Sequence, residues 1–338
     1  MIEKALQYKD VCLVPKYSEI SSRGDIDISV EVCSKKFKSP VIPANMRAVI
    51  DETIAENLDR NGYFYIMHRF NIDIFDFVFK ANTSLWNNIS ISIGVKQEDH
   101  DLIRRLSTGL PEGHRVDYIT VDIAHGHSKA MMDILTHIKR YLPDTCVIAG
   151  NVATPEAVKD LADWGANIVK VGIGQGNVCT TKDKTGFTTP MFTCVKNCAN
   201  EYYNADTSTG LTQVSTPYEK IPIIADGGIR CNGDIAKAIS AGASMVMVGS
   251  LFSQCTDSPA ATVTVNGRTY KQYFGSASEH NKNHKNHIEG VMKEVPTNNM
   301  TYTEKLREIK QDIQSAISYS GGNGYESLRG VDCYQVVP

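Results

Sequence analysis

Eight short runs rich in β-branched and aliphatic residues recur along the chain, at 41–44, 63–67, 89–95, 118–122, 146–150, 168–171, 222–225 and 245–248. Amphipathic helical patterns fill the intervals, and that alternation is the mark of parallel βα units. Eight such units over 338 residues predict one catalytic (β/α)8 barrel domain, a TIM barrel, with a doubly wound open sheet as the alternative. Helix punctuation agrees. Thr154 suits an N-cap, Pro155 the first helical position and Glu156 the first turn, while Gly165 closes the helix before the next run. Segments 51–58, 128–140, 234–241 and 303–317 carry the same helical pattern.

Most units have an ordinary βα length. The interval between the sixth and seventh runs is longer. It holds a cysteine loop (172–187), one helix near 189–203 and a polar insertion of 203–219, read as surface without assignable chemistry. A flap at 276–300 follows the last run. The formal net charge of −3 offers no basic field for nucleic acid or an anionic membrane, so an anionic ligand needs local groups. Nine cysteines lie scattered with no CxxC pair. That spacing argues against a disulfide framework or a zinc knuckle and for a reducing compartment. There is no apolar leader, and no run approaches the roughly eighteen apolar residues of a membrane span, so the chain reads as soluble and cytoplasmic.

The stretch VKVGIGQGNVCTT, at 169–181, runs from a strand through alternate glycines to Cys179. Glycines spaced this way let backbone approach a bound group. The loop is no dinucleotide fingerprint, because Asn177 stands where the third glycine is needed, and no Gly-Lys-Ser/Thr follows as in a P-loop. On the loop alone, a nucleophilic thiol and a buried structural cysteine remain alternatives.

Barrel chemistry sits on the loops after the strands. Here those loops carry Asn45 and Met46, then His68 and Arg69, then Asp122, Ile123, Ala124, His125 and His127, and finally Asp226-Gly227-Gly228 and Gly249-Ser250. The last two are the habitual phosphate site of this architecture, and Asp226 could accept from ribose hydroxyls. Asp122, His125 and His127 lack further ligands at recognisable spacing, so a solvated loop is preferred to a metal site. The cluster His280, His284 and His287, with Lys282 and Lys285, likewise reads as a solvated loop.

Taken together, YKDVCLVPKYS, SPVIPANM, NGYFYIMHRF, DIAHGHS, GNVATPEAV, VKVGIG, VCTT, KTGF, IIADGGIR, GDIAKAI, YFGSASE, IEG and SAISYSGG resemble the IMP dehydrogenase and GMP reductase family over nearly the whole chain. Within it, the likeness is to the GMP reductases of the shorter, bacterial-type branch. The resemblance implies reductive deamination of GMP to IMP by NADPH. Cys179 would be the nucleophile at C2 of the purine, and Thr181 and Glu289 would handle the proton for departing ammonia. Nucleotide contacts would fall on Asn45, Met46, Asp226, Gly227, Gly228, Gly249, Ser250, Gly275, Ser276, Ala277, Asn286 and Gly290. NADPH would meet Asp122, Ile123 and Ala124 and, from a neighbouring subunit of a homotetramer, Ser22, Arg23, Ser315, Ala316, Ile317 and Ser318. Backbone carbonyls of Gly174, Gly176 and Cys179 would hold a monovalent cation, potassium.

The chain departs from the family pattern at Thr188-Thr189-Pro190-Met191, at Ser276-Ala277 and in the extra segment 204–216. An IMP dehydrogenase would need an Arg-Tyr pair on the flap to activate water, and the residues between Glu279 and Glu289 include neither. No regulatory insertion fits between Phe70 and Ile89. Both absences favour the reductase over the dehydrogenase. A non-catalytic purine nucleotide sensor on the same barrel remains the reading from another class.

Overall fold

The computed structural model describes residues 4–200, 221–282 and 286–336. Seven parallel strands form one sheet in the order Val41–Pro43, Met245–Val248, Ile223–Asp226, Ile168–Val171, Cys146–Val152, Tyr118–Asp122 and Ser90–Ile93. The first of these strands in the chain thus pairs with the last, Ile42 opposite Met247, and the curl of a barrel follows. The run 63–67 takes the eighth place with a single bridge, Met67 to Ile91, rather than a regular strand. Its hold is largely by side chains. Phe64, Tyr65 and Ile66 are fully buried, and the Tyr65 hydroxyl donates to the Asn88 carbonyl over 2.8 Å.

Parallel strands covered on both faces must be apolar throughout. That explains the continuous hydrophobic runs at 41–43 and 245–248, each buried at every position, and the strand 168–171, equally buried and apolar but for Lys170. The helices between them start at side-chain caps: Asp51, Asp73, Ser128, Thr154 and Thr301 accept from the amides of Ile54, Asp76, Met131, Ala157 and Glu304. Each cap contributes on the order of 1 kcal/mol. Helices Ile74–Thr83 and Gln97–Gly109 complete the alternation. The helix after the cysteine loop is Met191–Asn200. The insertion at 203–219 lies outside the described residues.

A hairpin, Val30–Val32 against Lys35–Phe37, packs against the amino ends of the strands. Phe37 meets Phe64 edge-on at 5.0 Å, and the Tyr118 hydroxyl donates to the Val32 carbonyl over 3.0 Å. A disulfide joins Cys33 in the hairpin turn to Cys146 at the start of a barrel strand, with Cα atoms 6.2 Å apart. One bridge is not a framework, but it corrects the reading of the cysteines as scattered thiols. The pair is separated by 113 residues, and only the folded chain brings it together. The flap is partly ordered as sheet: Met292–Pro296 pairs with Arg268–Phe274, which pairs with Thr262–Val265. Among the described residues, no helix is long and apolar enough to cross a membrane.

Candidate active site

The carboxyl ends of the sheet strands converge on a cavity of about 360 Å³. Cys179, Thr181 and Glu289 all line it. The Thr181 hydroxyl donates to Glu289 Oε2 over 2.6 Å and lies 3.2 Å from Cys179 Sγ. Backbone pairing sets this geometry. The Val291 amide donates to the Val178 carbonyl and the Thr180 amide to the Glu289 carbonyl, each over 2.9 Å, so the cysteine loop and the flap segment run as a short antiparallel ladder. A thiol, a hydroxyl and a carboxylate in line within hydrogen-bond reach can add a nucleophile to an electrophilic carbon and pass a proton to a leaving group.

The loop can pass so close to the neighbouring strand because Gly172 has no side chain. At φ +131°, a Cβ there would lie 2.0 Å from the Asp226 carbonyl oxygen. Gln175 anchors the loop further along, donating to Thr188 Oγ1 over 2.6 Å and accepting from Gln7 Nε2 over 2.8 Å. Gly227 and Gly228 follow Asp226 in the left-handed region. With Gly249, Ser250, Gly275, Ser276 and Ala277 they also line the cavity.

Beneath the cavity Lys170, 2% exposed, reaches between two carboxylates, 2.8 Å from Asp122 Oδ1 and 2.7 Å from Asp226 Oδ2. Asn45 donates to Asp122 Oδ2 over 3.1 Å, and Asn151 to Asp226 Oδ2 over 2.9 Å. Burial alone would push Asp122 up, but the ammonium of Lys170 prevails and its carboxyl titrates below the usual range. Burial would push Lys170 down, and its two carboxylate partners raise it instead.

Asn45, Met46, Asp122, Ile123, Ala124 and Gly290 are cavity residues, whereas Asn286 is exposed and lies outside the lining. Ser22, Arg23, Ser315, Ala316, Ile317 and Ser318 are away from the cavity. There Arg23 donates to Ser315 Oγ over 3.3 Å, while Ile317 is fully buried in the core. His125 is exposed and His127 pairs with Asp160 at 2.8 Å. Among the described residues no group of three or more histidines, cysteines or carboxylates could hold a metal ion. His280 packs on Phe274 with ring centroids 4.5 Å apart, and His284 and Lys285 lie outside the described residues.

A family model described as the IMP dehydrogenase / GMP reductase domain matches residues 5–333. The chain belongs to this family. It is 47% identical over 327 residues to a protein named GMP reductase from Streptococcus pyogenes serotype M49, covering 96% of this chain and 93% of the relative. It is 45% identical over 334 residues to another so named from Bacillus licheniformis, covering 98% and 96%. The family's barrel explains why the site collects at the strand ends. Sequence reasoning assigned no role to Lys170, Asn151, Gln175 or Tyr273, all of them cavity residues. For Lys170 a signal was there: a lysine inside the apolar strand Ile168–Val171 needs buried anions nearby.

Proposed function

We propose that the chain is an NADPH-dependent GMP reductase, converting GMP to IMP and ammonia in purine nucleotide interconversion. The observation that carries this reading is the line of Cys179, Thr181 and Glu289 at the wall of a glycine-lined cavity. The names of the two bacterial relatives support it.

In this reading the glycine turn Gly227-Gly228, with Gly249 and Ser250, holds the phosphate, and Asp226 takes the ribose. Asp226 is suited to that, since Oδ2 is held by Lys170 and Asn151 while Oδ1 has no hydrogen-bond partner among the described residues. Asn151 Oδ1 is buried and has no partner among the described residues, as a site awaiting a donor would be. The Cys179 thiolate adds to C2 of the purine. Glu289, acting through the Thr181 hydroxyl, protonates the amino group, the carbon–nitrogen bond breaks and ammonia leaves a thioimidate on Cys179. Bound NADPH supplies a hydride for C2. The carbon–sulfur bond then breaks, returning the electron pair to sulfur and releasing IMP.

Residues Phe70, Asp122, Ile123 and Ala124 offer a cavity edge of mixed apolar and anionic character that fits a nicotinamide riboside. The carbonyls of Gly174, Gly176 and Cys179 are hard oxygen donors of the kind potassium takes. Gly176 O also accepts from the Cys179 amide over 3.2 Å, so a cation there would brace an existing turn. We place the enzyme in the cytoplasm as a homotetramer, with the patch at Ser22, Arg23 and Ser315 completing a neighbour's cofactor site.

The test is an assay of purified protein with GMP, NADPH and potassium that follows NADPH loss, ammonia and IMP together, with Cys179→Ala as control. Equimolar loss and formation, abolished in the variant, is the expected result. Formation of XMP from IMP and NAD would replace this reading with the dehydrogenase. GMP binding without ammonia release would replace it with the sensor.

A further inference from the structure

We propose that Lys170 is a positioning residue for the nucleotide site, acting by holding the paired carboxylates Asp122 and Asp226 in place and ionised together.

Three observations converge on it. Lys170 is the charged side chain of a strand whose other positions are fully apolar, and the strand is buried throughout. Its ammonium contacts both carboxylates at once, at 2.8 and 2.7 Å, and both carboxylates line the cavity while the lysine itself is buried. The neighbouring strand leaves room for it: a Cβ on Gly150 would lie 2.7 Å from Lys170 Cβ. A salt bridge serving only stability would be weak grounds for burying an ammonium between two cavity-lining carboxylates, since buried ionic groups are replaceable by apolar ones with little loss. Here the arrangement occupies Asp226 Oδ2 and leaves Oδ1 of this cavity-lining residue without a hydrogen-bond partner among the described residues.

Without the ammonium, two carboxylates would face each other across the vacated space, and such a pair shares one proton with an apparent pKa raised toward neutrality. The groups around the pair do not replace the lost charge. Arg69 faces Asp122, but its guanidinium lies over the Phe70 ring at 4.8 Å and reaches only the Asp122 backbone carbonyl, over 3.5 Å. Tyr8 and Tyr273 both lie within reach of the Asp226 charge, and Arg230 and Cys179, which also act on Tyr273, line the same cavity. Both tyrosines are pushed up by burial and stay neutral through the range of interest.

The inference rests on the reading that Asp226 meets the nucleotide ribose, and the experiment separates the two. IMP affinity is measured by calorimetry from pH 6 to 9, without cofactor, in a Cys179→Ala background so that no thiol titrates nearby. Taking the ratio of variant to parent at each pH cancels the titration of the IMP phosphate. Lys170→Met is expected to bind at least about tenfold more weakly at pH 7, because the shared proton removes the ribose acceptor, and the gap should narrow as pH rises. Lys170→Arg should keep a flat ratio. The double variant Asp122→Asn with Lys170→Met has a single carboxylate and no repulsion, so its ratio should also be flat and its affinity closer to the parent's. It provides a neutral pair should Lys170→Met fail to fold. A Lys170→Met loss of the same size at every pH, or a double variant with the pH dependence intact, overturns this inference. Failure of the parent to bind IMP at all would overturn the functional reading on which it stands.

Discussion

Replacing Thr181 by valine tests the active-site line most directly. Thr181 Oγ1 is the only atom of the line that reaches both neighbours, 2.6 Å from Glu289 Oε2 and 3.2 Å from Cys179 Sγ. Valine keeps the branched shape and removes the hydroxyl. The local backbone has its own supports, since the Thr180 amide still donates to the Glu289 carbonyl and the Thr185 hydroxyl to the Thr181 carbonyl. The change therefore disconnects acid from nucleophile without dismantling the loop. A positioned proton donor is worth about 10² to 10⁴ in rate, or about 3 to 5 kcal/mol at 1.36 kcal/mol per tenfold. Groups assigned to ground-state binding, Asp226 and the Gly227-Gly228 turn, are untouched, so KM for GMP should stay within about threefold while kcat falls. The assay is steady-state NADPH consumption, with iodoacetamide labelling of Cys179 to show that the thiol is still in place and accessible. A kcat within about tenfold of the parent's, or a raised KM with kcat intact, would refute the claim that the threonine carries the proton.

His68 is 6% exposed, and burial, with Arg47 second, lowers its pKa from 6.5 to about 4. Because the unfolded chain binds the proton first, stability is full above about pH 6.5 and should fall by about 3 kcal/mol in all as pH drops through 4. Urea unfolding at pH 7.5 and 4.5 should show a shallower acid loss for His68→Gln than for the parent, and equal losses would contradict the burial argument. Tyr8 has a buried hydroxyl with no partner among the described residues, so Tyr8→Phe should be neutral or stabilising by up to about 1 kcal/mol in the same assay. Gly172→Ala places a Cβ against the Asp226 carbonyl at a left-handed φ. It should lower the melting temperature and the yield of folded protein, and a fully stable variant would show that the close approach is not required. Lys271 donates to the carbonyls of Thr256, Ser258 and Ala260 from a site 3% exposed. Lys271→Met should cost about 2 to 3 kcal/mol, since two buried carbonyls, of Ser258 and Ala260, and the part-buried carbonyl of Thr256 lose their donor.

The barrel could be read from the chain because its signals are local. Strand burial on both faces appears as a largely apolar run, and helix starts such as those at Asp51 and Thr154 are caps within three residues of their partner amides. The run 63–67 was legible as buried chain but not as a poorly laddered one, because burial and pairing leave the same hydropathy trace. The Cys33–Cys146 bridge and the Asp226–Asn151 contact depend on residues far apart in the chain, which no periodicity records. The line through Thr181 and Glu289 spans 108 positions, and only the family resemblance brought those residues together before the structure did.

What joins Thr181 to Glu289 is a register. The ribbon pairs Phe274 with Met292, the Gly275 amide donates to the Val291 carbonyl over 3.3 Å, and Gly290 then bridges both Cys179 and Ser278. A Cβ on Gly290 would lie 3.0 Å from the Ser278 amide nitrogen and 3.2 Å from the Ala277 carbonyl carbon, so glycine suits this close crossing of backbones. Successive side chains of extended backbone point to opposite sides, so a slip of one residue in this ribbon would turn Glu289 away from the cavity. Carboxylate placement at the site therefore depends on a sheet whose outer strand, Thr262–Val265, never touches the cavity. That dependence accounts for how a surface ribbon outside the barrel comes to position an acid at the barrel's mouth.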